Sequence, residues 1–285
     1  FAVEVTTYRS EQGYNDRRHP DEVKFEDNIE KDLGRRDFTI NAMAIKRPSA
    51  GFDLAPDLSK YLRQVSGWEV LDLYGGTKDL RAKVVRAVGE PEDRFKEDAL
   101  RMMRCIRFAS ELGFEIEDKT LRAVKKLSGS LKFVANERIR DELIRILASD
   151  NAYGGIMLLY KNDLLQYIFP ELLEGEGMAQ NHHHVYSVLK HSLLSLRHCP
   201  NPDWRVRLAA LLHDVGKPKV RKSIKGHTTF YNHEYVGEKI VRKITKRLHF
   251  SRADADKITR LVRGHMFYYN VDEVTDASVR RLIKK

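Results

Sequence analysis

The sequence predicts an α+β fold that is mostly α, and three observations carry that prediction. Strand-like alternation is concentrated near the start of the chain: in FAVEVTTYR at 1–9, Phe1, Val3 and Val5 face one way and Ala2, Glu4 and Thr6 the other. From about 92 to 175 apolar residues recur at helical spacing, and a second helical stretch runs from 185 to the end. Between the two stretches lies a polar joint, MAQNHHH at 178–184. At 285 residues the chain is long enough for two or three packed units.

Residues 10–24 are polar and basic, with Gly13 and Pro20, and read as a loop leading to a short strand at 22–26. Asp27 with Glu30 three residues later makes a capping box for a helix through Leu33. In RRDFTINAMA at 35–44 and the residue that follows, Phe38, Ile40, Met43 and Ile45 anchor a core, so Arg35, Arg36, Asp37 and Asn41 project to one opening. A Pro- and Gly-punctuated stretch then ends in a tight turn at Gly75-Gly76. A helix over Arg94–Leu112 buries Phe95, Ala99, Met102, Met103, Ile106 and Ala109. Its opposite arc carries Arg94, Glu97, Arg101, Arg104 and Arg107, with Asp98 at the border. Loops at Ser128-Gly129 and Tyr153–Gly155 interrupt the helical pattern beyond it.

The net charge of +10 and a pI near 9.4 favour an anionic partner, and the clustering of arginines within motifs strengthens that expectation. Cys105 and Cys199 lie far apart and provide no disulfide framework, which fits a reducing cytoplasm. No run approaches the roughly 18 apolar residues that a membrane span needs, and no secretory pattern opens the chain.

The arginine fork of 35–36 can hold phosphate oxygens bidentately, while Asp37 and Asn41 can hydrogen-bond ribose hydroxyls. Composition alone leaves a surface ion-pair cluster equally open. On the helix at 94–112 the alternative is an ordinary charged outer face, against which stands a shortage of nearby carboxylates for three arginines at spacing three. A carboxylate beside a guanidinium offers an acceptor and a donor to the Watson–Crick edge of cytosine or adenine. Guanine and uracil would leave those groups unpaired and be rejected.

RRDFTINAMA, EDALRMMRCIRF at 97–108 and EVTTYR at 4–9 together resemble the class II tRNA nucleotidyltransferase and poly(A) polymerase family, which includes the CCA-adding enzymes. The resemblance implies that Arg35, Arg36, Asp37 and Asn41 hold the sugar and phosphates of the incoming nucleotide. It further implies that Glu97, Asp98 and Arg101 form the base-selecting ED-x-x-R motif, with Arg104 and Arg107 contacting the nucleotide or supporting its pocket. Asp72 in LDLYGGTKDL at 71–80 falls at the turn between head and neck. Glu4 falls where the family places a third catalytic carboxylate beside a DxD pair. No GGxxR or DxD run stands ahead of EVTTYR in the chain, which is therefore expected to be an internal fragment of a longer enzyme, inactive alone in Mg²⁺-dependent nucleotide transfer.

HSLLSL at 191–196 and LAALLHDVGKP at 208–218 resemble an appended HD domain of the metal-dependent phosphohydrolase type. An adjacent His-Asp pair with distant helical histidines can share one divalent metal, and the expected set is His191, His213, Asp214, His233 and His265. His182, His183 and His184 read as the domain joint, although His184 lies one heptad before His191. The final aspartate of the HD pattern has no clear place, so hydrolysis is an open expectation.

The resemblance thus implies a partial palm-type head (1–84), a helical neck and body that bind base and RNA (85–180), and an all-α HD domain (181–285). The expected activity of the parent is template-independent addition of CMP and AMP to the 3′ end of tRNA from CTP and ATP. Mg²⁺ would serve the transfer, with Ni²⁺, Mn²⁺ or Co²⁺ in the HD domain. The expected partner is the tRNA acceptor end, with no membrane and no protein partner, in the cytoplasm. The rivals are A-only or CC-only addition, a poly(A) polymerase, a stand-alone HD phosphohydrolase whose basic N-terminal half binds RNA, and a non-enzymatic RNA-binding module.

Overall fold

The structure is a computed structural model that describes residues 9–12, 22–25, 29–46, 60–65, 67–179, 186–224, 227–266 and 275. Glu4, most of the first predicted strand, Asp27 of the predicted capping box and His182–His184 lie outside the described residues. The chain divides into two compact units, residues 1–170 and 171–285.

The first unit opens with strands β1 (Arg9–Gln12) and β2 (Glu22–Phe25), paired antiparallel with Arg9 opposite Phe25. β2 matches the strand expected at 22–26, whereas residues 10–12, expected to open the loop, belong to β1. Helix α1 (Ile29–Gly34) follows, and a 3₁₀ turn at Thr39–Asn41 leads into β3 (Met43–Lys46). β4 (Leu62–Val65) and β5 (Trp68–Asp72) complete a three-stranded antiparallel sheet in the order β3-β5-β4. The sequence predicts only Pro- and Gly-punctuated chain here. Its strands are short, and Gly67, at φ 82°, makes the tight turn between β4 and β5.

Ile29 and Leu33 of α1 pack with Leu71 of β5, against which Tyr61 and Tyr74 also lie. Of the expected core anchors in RRDFTINAMAI, Phe38 is fully buried, but Ile45 is 67% exposed. Ile45 lies on the outward face of β3, while the smaller Thr39 and Ala42 fill the interior.

The predicted turn at Gly75-Gly76 starts helix α2 (Gly76–Ala82), whose first amides donate from Gly76 and Thr77 to the Asp72 carboxylate at 2.7 and 2.9 Å. A side chain at Gly76 would collide with the Thr39 carbonyl oxygen, so this glycine lets α2 lie directly on the 3₁₀ turn. Burial opposes ionisation of Asp72, but hydrogen bonds from Thr77, Gly76 and Gly75 outweigh it and hold the carboxyl below its ordinary range.

Strand β6 (Val84–Val85) pairs in parallel with β7 (Glu115–Ile116) across two helices, α3 (Pro91–Glu97) and α4 (Leu100–Leu112). The single helix expected over 94–112 is therefore broken. Asp98 takes extended backbone angles (φ −142°, ψ 106°), and its Oδ1 accepts the Leu100 amide at 3.0 Å. A short aspartate side chain favours such local capping over continuing a helix. The inward arc nevertheless follows the predicted period, with Phe95, Ala99, Met102, Met103, Ile106 and Ala109 all buried.

Helices α5 (Asp118–Leu127), α6 (Asn136–Ala148), α7 (Ala152–Lys161) and α8 (Leu165–Ile168) complete the unit, with a 3₁₀ segment at Ser128–Phe133. Tyr153–Gly155, expected as a loop, belongs to α7. Asn151 caps it by accepting the Gly154 amide at 3.2 Å, and Gly155 allows close packing on Ser110 of α4 and Ile146 of α6.

α9 (Pro170–Leu173) leads into the second unit, built from α10 (Val188–Arg197), α11 (Trp204–Leu212), α12 (Lys217–Val220), α13 (His233–Arg247) and α14 (Arg252–Gly264). It is not wholly helical: a hairpin of β8 (Lys222–Ile224) and β9 (His227–Thr229) lies between α12 and α13. Two three-residue strands give too short an alternation to compete with the surrounding helical period. Among the described residues, no helix is long and apolar enough to cross a membrane.

Candidate nucleotide cleft and metal centre

The 3₁₀ segment after α1 and the α3–α4 corner open a cleft of about 660 Å³ in the first unit, lined by Arg35, Arg36, Asp37, Asn41, Asp98, Arg101 and Arg104 together with Arg138 of α6. Of the residues expected to hold nucleotide, Glu97 and Arg107 lie outside this lining.

Carboxylates position almost every guanidinium in the cleft. Asp32 of α1, 3% exposed, takes Arg35 at 2.6 Å and Arg36 at 3.1 Å. Burial opposes its charge, yet hydrogen bonds and charges from the two arginines keep its carboxyl below the ordinary range. Arg104 Nε donates to Asp37 Oδ2 at 2.6 Å, and the Asn41 amide donates to Asp37 Oδ1 at 3.3 Å. Arg101 donates to Glu97 at 2.6 Å and to the Arg35 carbonyl at 3.0 Å, which ties α4 to the arginine segment. Arg36 Nε is buried without an acceptor among the described residues.

The shortage of carboxylates inferred from the α4 sequence is thus made good from other elements. Arg107, expected on the outward arc, is 1% exposed; its Nε lies 2.7 Å from Glu142 of α6, and its guanidinium stacks over Phe108 at 4.1 Å. Asp98 faces Arg138 rather than the expected Arg101, accepting both guanidinium nitrogens at 3.3 and 2.7 Å. A carboxylate and a guanidinium therefore meet in the cleft, but the guanidinium comes from α6.

Sequence reasoning missed Asp32, Arg138 and Glu142. Asp32 carried a signal, lying three and four residues before the two arginines. Arg138 and Glu142 share a helix face at spacing four, but nothing local names their partners on α3 and α4. In the described part of this unit, no carboxylate cluster has the spacing of a metal site.

In the second unit the five expected ligands converge. His191 lies on α10, His213 and Asp214 follow α11, His233 opens α13 and His265 follows α14. They form two donor sets, His191–His213–Asp214 and Asp214–His233–His265, each with its donor atoms within 4.8 Å of one another. Asp214 is 2% exposed and shared by both: Oδ2 lies 3.1 Å from His213 and 3.4 Å from His191, and Oδ1 lies 3.3 Å from His233 and 3.6 Å from His265.

The histidine tautomers are set from behind. Nδ1 of His213, His233 and His265 lies 2.8, 2.8 and 2.7 Å from the carbonyls of Ala210, Phe230 and Val262. Each Nδ1–H donates to its carbonyl, leaving the Nε2 lone pair aimed inward. The Nε2 atoms approach at 3.2 Å for His191 and His213 and at 3.1 Å for His233 and His265. With the Nδ1–H groups of His233 and His265 directed to carbonyls, their Nε2 lone pairs face each other at a separation close to the about 3 to 3.4 Å between neighbouring nitrogens on a metal at about 2.1 Å. The donor set therefore fits a divalent ion.

Gly216 and Lys217 complete the centre. A side chain at Gly216 would collide with the His233 carbonyl, so this glycine brings the turn after Asp214 against α13. Lys217 is buried, with Nζ 2.7 Å from Asp214 Oδ2. An adjoining pocket of about 580 Å³ is rimmed by Thr228, Phe230, Tyr231 and Met266.

Profiles of known families match in three places: the "Poly A polymerase head domain" at residues 2–86, the "Probable RNA and SrmB-binding site of polymerase A" at 113–175, and the "HD domain" at 181–282. The A-adding tRNA nucleotidyltransferase of Deinococcus radiodurans is 36% identical over 248 residues, covering 83% of this chain and 52% of that protein. The CCA-adding enzyme of Enterococcus faecalis is 43% identical over 176 residues, covering 61% of this chain and 38% of that one. The chain thus spans about half or less of the length of these relatives. An apo structure of a CCA-adding enzyme shares the fold at a TM-score of 0.60 and 23% identity, over 98% of this chain and 57% of that one. By these matches the chain belongs to the tRNA nucleotidyltransferase and poly(A) polymerase family and carries an HD domain.

Proposed function

We propose that this chain is the nucleotide-selecting and HD-bearing part of an enzyme that adds CMP and AMP from CTP and ATP to the 3′ end of tRNA without a nucleic-acid template. The observation that carries the reading is the convergence of Arg35, Arg36, Asp37 and Asn41 with Asp98, Arg101 and Arg104 on one cleft. Names of relatives that add A or CCA support it. In this reading the head spans 1–84, the neck and body 85–180 and the HD domain 181–285, and the enzyme works in the cytoplasm.

Arg36, the most exposed of the paired guanidiniums around Asp32, takes phosphate oxygens, while Asp37 and Asn41 take ribose hydroxyls. Asp98 accepts the exocyclic amine of cytosine or adenine, and a guanidinium beside it, from Arg138 or Arg101, donates to the adjacent ring nitrogen. Mg²⁺ would enter with the triphosphate, with Glu4 as its expected carboxylate in this chain.

The test is transfer of label from each of the four nucleoside triphosphates to tRNA lacking its 3′ CCA, using this chain joined behind a head segment that supplies the acidic metal pair. CTP and ATP should be incorporated and UTP and GTP rejected; incorporation of all four alike would refute the reading. A-only addition is the second reading, favoured by the A-adding relative whose match extends over 248 residues. It predicts label from ATP alone, on tRNA already ending in CC.

For the HD domain we infer one or more divalent transition ions, Ni²⁺, Mn²⁺ or Co²⁺, held by His191, His213, Asp214, His233 and His265. Such an ion would supply a Lewis acid and an activated water for hydrolysis of a phosphate ester or a 2′,3′-cyclic phosphate. Lys217 would neutralise the phosphate as it enters the pocket. Metal content of the purified chain, with and without added ion, tests the assignment directly.

A further inference from the structure

The positive charge of the chain is distributed unevenly. Residues 1–170 contain 29 Lys and Arg against 29 Asp and Glu, whereas residues 171–285 contain 22 against 12. The whole net charge of +10 thus belongs to the second unit.

Within that unit α13 carries Lys239, Arg242, Lys243, Lys246 and Arg247 against Glu234 and Glu238. Lys239, Lys243 and Lys246 recur at spacings four and three on the solvent side of the helix, whose opposite side buries Gly237, Val241, Ile244 and Thr245. None of the three lysines has an ion-pair partner among the described residues. The nearby carboxylates are already engaged: Glu238 and Asp256 both pair with Arg242 at 3.3 Å. Arg252, 98% exposed, stands beside them at 3.9 Å from Asp256.

The helix dipole accounts for cations in the last turn, Lys246 and Arg247, but not for Lys239 and Lys243 further up. By contrast, in the first unit Lys119, Lys125 and Lys126 pair with Glu90, Asp163 and Glu92 at 2.8, 3.8 and 2.8 Å.

We propose that the face of α13 bearing Lys239, Lys243 and Lys246 binds the phosphodiester backbone of an RNA. Lys239 to Lys246 spans about 10 Å along the helix, enough for the three ammonium groups to reach successive phosphates of one strand. An anionic membrane fits less well. This face presents lysines without the row of exposed large apolar side chains that a membrane-lying helix inserts. The inference concerns a surface separate from the nucleotide cleft and holds whichever nucleotide that cleft selects.

The experiment is a salt series of equilibrium binding between the whole chain and an RNA stem-loop with a single-stranded 3′ tail. The variant combines Lys239→Ala, Lys243→Ala and Lys246→Ala. Each lost phosphate contact lowers the slope of log K against log salt by about 0.7–0.9, so the slope should fall by roughly two to three and affinity by at least tenfold. The corresponding triple Lys→Arg variant should retain both. Helical circular dichroism and metal content should match the parent chain in both variants. Unchanged affinity and slope in the alanine variant would overturn the proposal. So would binding to phosphatidylserine vesicles that the RNA cannot displace.

Discussion

The two units handle charge in opposite ways. In the first, guanidiniums are held by carboxylates from other elements, such as Arg104 by Asp37 and Arg107 by Glu142. In the second, imidazole nitrogens converge to 3.2 and 3.1 Å, and the α13 lysines have no ion-pair partner among the described residues. A cleft of pre-paired ions is rigid and selects by shape and hydrogen bonding. A set of converging imidazole and carboxylate donors, or a cationic face, is instead complementary to an ion or a polyanion. The comparison can be tested by breaking one pairing at a time.

The largest effect is expected inside the first unit. Arg107→Ala leaves buried Glu142 with only the more distant Arg104, at 3.9 Å, and should cost about 3–5 kcal/mol, read as a large fall in the midpoint of denaturant unfolding. Arg107→Met combined with Glu142→Leu should recover most of it, since replacing both charges removes the unpaired group. A mild effect of Arg107→Ala alone would mean that the pair is not the strut described here.

In the second unit, Asp214→Ala should reduce divalent-metal affinity by more than the 10–100-fold typical of an outer-shell partner, because both donor sets lose their shared carboxylate. Calorimetric titration with Ni²⁺ or Mn²⁺ reads this. Undiminished binding would assign the metal to other groups.

Asp32→Asn should be milder, roughly 1.5–3 kcal/mol, the worth of hydrogen bonds to a charged group. It also carries a pH signature. Because Arg35 and Arg36 hold this carboxyl below the ordinary aspartate value of 3.8, its contribution is complete above that pH and is lost as pH falls through the folded value. Parent and variant stabilities should therefore converge in acid; a constant gap down to pH 2–3 would contradict the ion-pair account.

The smallest effect is expected from the exposed, already paired lysines. Lys119→Ala, Lys125→Ala and Lys126→Ala should each alter stability by less than about 1 kcal/mol. Together they should change the salt slope of RNA binding less than the α13 variant does. The reverse order would move the RNA surface to the first unit.

What could be read in the sequence divides along the same line. The inward arc of α4 was legible because periodicity reports which residues share a face. The break at Asp98 was not, because the competing force is a single side-chain cap of the Leu100 amide. Arg107 was misplaced outward for a related reason: its partner Glu142 lies 35 residues further on, and periodicity gives an angle but no partner. The histidine set was legible because few other roles draw a His-Asp pair and distant histidines into apolar helices. Their meeting on the two oxygens of Asp214 depends on Gly216 lying against α13, which local pattern does not show. The β3-β5-β4 sheet and the β8–β9 hairpin were missed because their strands of three to five residues give too little alternation to outweigh their neighbours.

The most direct test of the central claim is equilibrium competition among CTP, ATP, UTP and GTP for the cleft, measured on the parent chain and on Asp98→Ala. The account predicts that the parent prefers CTP over UTP and ATP over GTP, and that Asp98→Ala reduces both preferences by roughly ten- to a hundredfold, the worth of one unpaired polar contact at about 1–3 kcal/mol. Preferences left intact by Asp98→Ala would show that Asp98 serves only to hold Arg138 and cap α4, and that the cleft does not read the base.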